Sequence, residues 1–256
     1  MGIRVVITYH TYYIDVGFHK TVNALVDKEL VCNSAAAVKA REATGNRSIG
    51  CIPLPCLQYD NVDIETARKK LNIPLDKKIV ASHGFFQQHK GYDCLVKSLA
   101  YMGNNTEIWI IGAGDVKHEC YQHIRYLIKN LKIKSKVKIF DQYLTMDKVM
   151  EKLQCANIIA YAYTIKGYYS ASAAARTGLS CGRPCVVSHS PMFEDIFPIT
   201  KQFPMLDSRA LAEISNNLIG DKKESDKLVK KSMEYVRSYP PEKISQLHNE
   251  LYLNLL

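Results

Sequence analysis

The apolar positions of this chain switch repeatedly between unbroken β-branched runs and helical spacing. "IRVVITY" at residues 3–9 is an unbroken run and predicts a buried strand. "KELVCN" at 28–33 predicts a second. Ser34 is placed to cap a helix, "AAAVKAREAT", that Gly45 stops. "SIGCIPLP" at 48–55 reads as a third strand, ended by its prolines. Asp63 caps a helix through Asn72, with Pro74 beyond it.

The alternation then resumes. Strand "KIVASH" leads into a helix at 91–102, and strand "EIWIIGA" at 107–113 into a helix at 117–131. Strand "VKIFDQ" at 137–142 precedes a helix capped by Thr145, with Met146, Val149, Met150 and Leu153 on one face. Strand "NIIAYAY" at 157–163 leads into an alanine-rich helix from about residue 170 to 181, and strand "PCVVSH" at 184–189 follows. Three helices close the chain: 207–219, between Asp207 as cap and Gly220 as stop, 225–237, and 241–255. Strand–helix alternation at this spacing predicts an α/β fold of parallel sheets with helices on both faces. Strand density drops across residues 56–63, which marks a boundary. The expected units are 1–60, 61–240 and a last helix, 241–256, returning toward the N-terminal part.

Length and composition narrow the class. With 256 residues, 47% hydrophobic and 23% charged, the chain can bury a substantial core. No apolar run reaches the roughly 18 residues of a membrane span. "MGIRVVITYHTYY" runs straight into a strand-like segment and does not read as a signal peptide, and Val6 breaks the myristoylation pattern. The eight cysteines show no Cys-x-x-Cys and no zinc-spaced histidines, so they read as reduced core thiols of an intracellular protein. The expected location is cytoplasmic, soluble or held peripherally at a membrane. The net charge of +9 points to an anionic partner. The lysines are scattered without interleaved aromatics, which disfavours nucleic acid.

Ligands of such sheets bind at the carboxyl ends of the strands, and three segments fall there. In "GFFQQHKG", Gly84 lets a ligand approach the backbone and Lys90 adds charge just before a helix start. From the local pattern alone, an ordinary turn with a solvated lysine is the commoner reading of so short a motif. "IIGAGD" opens like a dinucleotide fingerprint, but its third glycine position is Lys117, so a plain strand-to-helix turn is favoured. "KGYYSASAAARTG" opens its helix on small residues, with hydroxyls at Ser170 and Ser172, which suits either a ligand lying on the helix or close packing on the sheet. His10, at the end of the first strand, reads as a site residue or as a core histidine. No Gly-x-Ser-x-Gly elbow, catalytic-triad spacing or carboxylate cluster for a metal is present.

Taken in order, these segments resemble the retaining group 1 glycosyltransferases of the GT-B fold, which have two Rossmann-like domains. "VITYHTYY" resembles the Thr-x-His strand that closes the family's N-terminal domain. "GFFQQHKGYDCLVKSL" resembles Gly-Arg-x-x-x-x-Lys-Gly and its helix, "WIIGAGD" the Gly-x-Gly after the next strand, and "CGRPCVVSHSPMFEDI" the Gly-x-Pro-Val-Val segment with its acidic-Ile. The collinear order covers nearly the whole chain, with the N-terminal domain truncated. Two departures stand out. The family's phosphate arginine falls on Phe85, and its paired glutamates, eight positions apart, fall on Tyr169 and Thr177.

The resemblance implies a hexosyltransferase moving a sugar from a UDP- or GDP-sugar to an acceptor hydroxyl, without cofactor or metal. The acceptor would be a carbohydrate or a lipid-linked glycan. His10 would lie beside the sugar as the catalytic residue. The donor would be held by Gly84, Phe85, Lys90, Gln142, Tyr143, Tyr169, Ser170, Ser172 and Thr177. With both glutamates absent, the other reading is a nucleotide-sugar-binding subunit that needs a partner chain, and a homo-oligomer is compatible with either. A sugar-nucleotide epimerase shares the fold, but its acidic and histidine constellation is not evident.

Overall fold

In the computed structural model, which describes residues 3–13, 15–112, 114–166 and 169–256, the β-branched runs form strands. Ala113 of the expected strand 107–113, and Gly167 and Tyr168 of the "KGYYSAS" segment, lie outside the described residues. The N-terminal part holds β1 (Val6–Tyr9), β2 (Thr11–Tyr12), α1 (Val16–Asn23), β3 (Lys28–Val31), α2 (Ser34–Thr44) and β4 (Gly50–Cys51). Next come α3 (Ile64–Lys70), β5 (Lys78–His83), α4 (Tyr92–Lys97), β6 (Thr106–Ile111), α5 (Glu119–Asn130) and β7 (Val137–Phe140). The chain continues with α6 (Met146–Leu153), β8 (Ile158–Tyr161), β9 (Tyr169–Ser170), α7 (Ala173–Leu179), β10 (Cys185–Ser188) and β11 (Lys201–Phe203). It ends with α8 (Ser208–Gly220), α9 (Lys222–Ser238) and α10 (Pro241–Leu253).

Six strands form one parallel sheet in the order β11-β10-β8-β5-β6-β7, and β1-β3-β4 form a smaller one. The large sheet is buried on both faces, because its strands are apolar at successive positions rather than at alternate ones. Ile79, Ala81, Trp109, Ile111, Ile159 and Tyr161 point into the core beneath α6 and α7. Their neighbours Val80, Ile108, Ile110, Ile158 and Ala160 point into the core beneath α4, α5 and α8. Each fully buried isoleucine contributes roughly 1.5–3 kcal/mol. The last helix packs Ile244 against Leu30 and Ile52, beside the small sheet.

Several elements differ from the sequence expectation. Asn33, not Ser34, caps α2: its Oδ1 accepts from the amides of Ala35 and Ala36. The expected strand 48–55 shrinks to Gly50–Cys51, since prolines cannot donate to a ladder. The helix expected at 91–102 is α4 followed by a 3-10 turn, Ser98–Tyr101. Thr145 occupies the cap position of α6 but makes no side-chain cap bond. The helix expected from 170 starts only at Ala173, because Tyr169 and Ser170 are drawn into β9, which pairs antiparallel with β2 (Thr11 opposite Ser170, Tyr12 opposite Tyr169). That small pairing ties the N-terminal strands to the segment before α7.

Candidate functional site

The parallel sheet changes winding direction between β5 and β8: β6 and β7 extend it to one side of that pair, β10 and β11 to the other. A crevice opens outside the carboxyl ends of strands at such a point. Here a cleft of about 340 Å³ is lined by His83 and Gly84 after β5, Gly112 after β6, Gln142 and Tyr143 after β7, and Ala171 to Ala174 at the start of α7. Phe85, Lys90, Leu144, Met146, Thr177 and Met192 complete much of its wall. None of the described residues lining it is an aspartate or glutamate.

Backbone geometry aims Lys90 into this cleft. Gln88–Lys90 form one 3-10 turn, and Gly91 follows in the left-handed region at φ 65°. A Cβ at Gly91 would stand 1.8 Å from the Ala162 carbonyl oxygen, so the turn docks on the end of β8 only with glycine there. The Lys90 ammonium then donates to the Tyr163 hydroxyl at 2.6 Å. Tyr163 is buried and also contacts the Ser172 Oγ at 2.9 Å. Ser172 caps α7, its Oγ accepting from the Ala175 amide at 3.2 Å. Lys90 can only donate, so Tyr163 accepts from it, and the Tyr163 and Ser172 hydroxyls share the next hydrogen bond of the chain.

Burial holds the Lys90 ammonium down at about 8, and no carboxylate of the described residues pairs with it. His83 is buried and pushed down to about 4, first by burial and then by the Lys90 charge. The Tyr161 hydroxyl gives its proton to the Ala174 carbonyl at 2.6 Å. His83 Nδ1, 3.2 Å from that same hydroxyl, is therefore the donor, which leaves Nε2 as an acceptor.

Of the residues singled out from sequence, Gly84, Phe85, Lys90, Gln142, Tyr143, Ser172 and Thr177 line this one cleft. Phe85 and Tyr143 are exposed at its lip. Thr177 donates its hydroxyl to Ala173 O at 3.3 Å, within its own helix. His10, Tyr169 and Ser170 gather instead at the β2–β9 junction, adjoining the lining at Ala171. There the Ser170 hydroxyl donates to the His10 carbonyl, and Lys39 Nζ lies 4.8 Å from the Tyr169 ring centre while pairing with Glu194 at 2.8 Å. In the sequence His83 stands out only as the last residue of the strand "KIVASH", and Tyr163 is given no role. The signal for Tyr163 was present in "NIIAYAY": period-two spacing puts Tyr161 and Tyr163 on the face that meets α7.

Among the described residues no group of three His, Cys, Asp or Glu side chains could hold a metal ion, and no helix is long and apolar enough to cross a membrane. All eight cysteines are free.

No curated protein matches the chain in sequence. Its fold is similar to that of a sucrose-phosphate synthase from Thermosynechococcus elongatus, with 19% identity and a TM-score of 0.81 over 98% of this chain and 67% of that one. It is similar also to HepE of Anabaena, solved in complex with UDP-glucose (14% identity, TM-score 0.79, 98% of this chain and 72% of that one). A glycosyltransferase from Rickettsia africae shows 16% identity and a TM-score of 0.79, over 98% of this chain and 70% of that one. These likenesses speak to the GT-B fold. The model of the family "Glycosyl transferases group 1" matches residues 63–235, well over half of the chain and the whole span that forms the cleft. The chain belongs to the group 1 glycosyl transferases.

Proposed function

We propose that the cleft binds a nucleoside-diphosphate sugar and that the protein transfers the sugar, with retention, to an acceptor hydroxyl. One observation carries this reading: a largely buried ammonium, Lys90, faces a cleft whose described lining has no carboxylate. A buried cation is costly until an anion meets it, and a diphosphate supplies that charge without a metal. Backbone amides of Ala173 and Ala174, which have no intrahelical partner, and the Ser172 hydroxyl add donors toward the same space. In transfer these groups would stabilise the departing diphosphate as the sugar becomes oxocarbenium-like. Gln142 and Tyr143, at the exposed lip, are assigned to the base, and Thr177 to the ribose. His10, held through its carbonyl by Ser170, is assigned the sugar side of the cleft.

A second reading has a specific observation behind it. Where the family's paired glutamates would stand, Tyr169 lies in β9 and Thr177 turns its hydroxyl onto its own helix. A chain that binds the donor and relies on a partner chain for transfer fits that lining. The two readings separate in one experiment. Donor hydrolysis or transfer to a sugar acceptor, followed by nucleoside-diphosphate release, supports the enzyme. Stabilisation by nucleoside diphosphate with no release supports the subunit. No stabilisation by any nucleoside diphosphate overturns both.

A further inference from the structure

The outer face of α5 and the turn after it form a basic surface that the donor site does not use. From Cys120 to Phe140 the sequence has no aspartate or glutamate, yet it carries Arg125, Lys129, Lys132, Lys134, Lys136 and Lys138. The inner face of α5 is spent on the core, where Tyr121, Ile124 and Ile128 are buried. Arg125 and Lys129 are four residues apart on the outer face of α5, and Lys132 follows in the turn just past its end. With Lys134 and Tyr126 they border a single shallow depression. Tyr126 is 63% exposed and Leu131 is 48% exposed among these charges.

Several surface lysines elsewhere sit against a carboxylate. Lys70 reaches Glu151, Lys97 reaches Asp93, Lys201 reaches Glu224 and Lys222 reaches Asp226. On this stretch Lys138 alone is so treated, pairing with Glu107 at 3.1 Å. Arg125, Lys129, Lys132 and Lys134 enter no ion pair among the described residues, although neighbouring like charges repel one another.

We propose that this face docks on an anionic lipid bilayer. Lysines and arginines held together on an outer helix face gain attraction to anionic headgroups additively, and an exposed tyrosine and leucine between them fit the interfacial layer. A single-stranded nucleic acid would want successive aromatic platforms in a groove, and this face offers one exposed ring. Lys134 and Lys136 lie just before β7, at the amino end of its strand, whereas the cleft opens at the carboxyl ends. Docking here leaves the cleft uncovered.

The test is sedimentation of the full chain with phosphatidylcholine vesicles and with vesicles containing about one third phosphatidylglycerol. The parent should partition onto the anionic vesicles only and be released by about half-molar salt. The variant K129E/K132E/K134E, altered only at exposed positions, should lose roughly a hundredfold in partitioning. The charge-matched variant K223E/K230E/K231E on α9 should lose much less. Tyr126→Ala should weaken the parent's partitioning several-fold. The parent's failure to bind anionic vesicles at low salt overturns the proposal. So do equal losses in the two triple variants, or an oligonucleotide retained through the α5 lysines while vesicles are not. If the α5 variant does not fold, the parent's lipid and salt dependence and Tyr126→Ala decide alone.

Discussion

The Lys90 ammonium donates to the Tyr163 hydroxyl at 2.6 Å, so that the loop after β5 is joined to the end of β8 across the point where the sheet changes direction. Neither residue has a carboxylate nearby in the cleft lining. A charge is thus held in place by a neutral hydroxyl, and behind that hydroxyl stands the cap of α7. This arrangement positions the cation without cancelling it. Its consequences can be measured separately on the fold and on the ligand.

Lys90→Met should stabilise the free protein and weaken nucleoside-diphosphate binding. Burial lowers the lysine from its ordinary 10.5 to about 8, so at pH 7 the folded state carries a charge it disfavours. Removing it should add about 2 kcal/mol of stability at pH 7. The gain should shrink as pH rises from 8 toward 10.5, where the folded protein has already shed the proton. Urea unfolding at pH 7 and at about pH 10 reads this difference.

Tyr163→Phe removes the hydroxyl that holds Lys90 and Ser172. Two buried polar groups then lose a partner, so a stability loss of about 1–3 kcal/mol is expected. Nucleoside-diphosphate affinity should fall several-fold, because Lys90 is no longer held in one place. The double change with Lys90→Met should show coupling, since the two side chains touch. Additive effects in a double-mutant cycle would separate Tyr163 from the lysine.

Gly91→Ala should be severe. The Cβ would meet the Ala162 carbonyl oxygen at 1.8 Å, and the backbone is left-handed at φ 65°. A loss above about 3 kcal/mol is expected, seen as a melting temperature lowered by many degrees. Gly45, also left-handed but with nothing within 4 Å of its Cβ, should tolerate alanine at about 1 kcal/mol.

His83 makes acid costly. Its folded-state value is about 4, below the ordinary 6.5, because burial and the Lys90 charge oppose protonation. The unfolded chain therefore takes up a proton that the folded one refuses, and stability falls as pH drops from 6.5 through 4. His83→Asn should flatten that part of the stability–pH profile by up to about 3 kcal/mol. An unchanged profile would place the acid sensitivity elsewhere, for example at His89, which burial also lowers to about 4.

The sequence made the strand–helix alternation legible because the large sheet is buried on both faces, and its strands read as continuous apolar runs. It placed Gly84, Lys90, Gln142 and Ser172 near one another because all follow strands of one sheet at the same end. It could not place Tyr163, whose importance lies in a contact with Lys90 formed 73 residues away. It started a helix at about Ser170, since the small and helical neighbours gave no sign of the strand pairing of Tyr169 and Ser170 with Tyr12 and Thr11. Such a pairing is decided by tertiary approach, which local propensity does not carry.

Calorimetric titration of UDP and GDP into the parent and Lys90→Met, both in EDTA, decides whether Lys90 holds the diphosphate. The parent should bind one nucleoside diphosphate at pH 7 without metal, and less tightly above about pH 8 as Lys90 loses its proton. Lys90→Met should bind about tenfold or more weakly, with no change across that pH range. Equal affinity in parent and variant, or binding that appears only when magnesium is added, would rule out this role for Lys90.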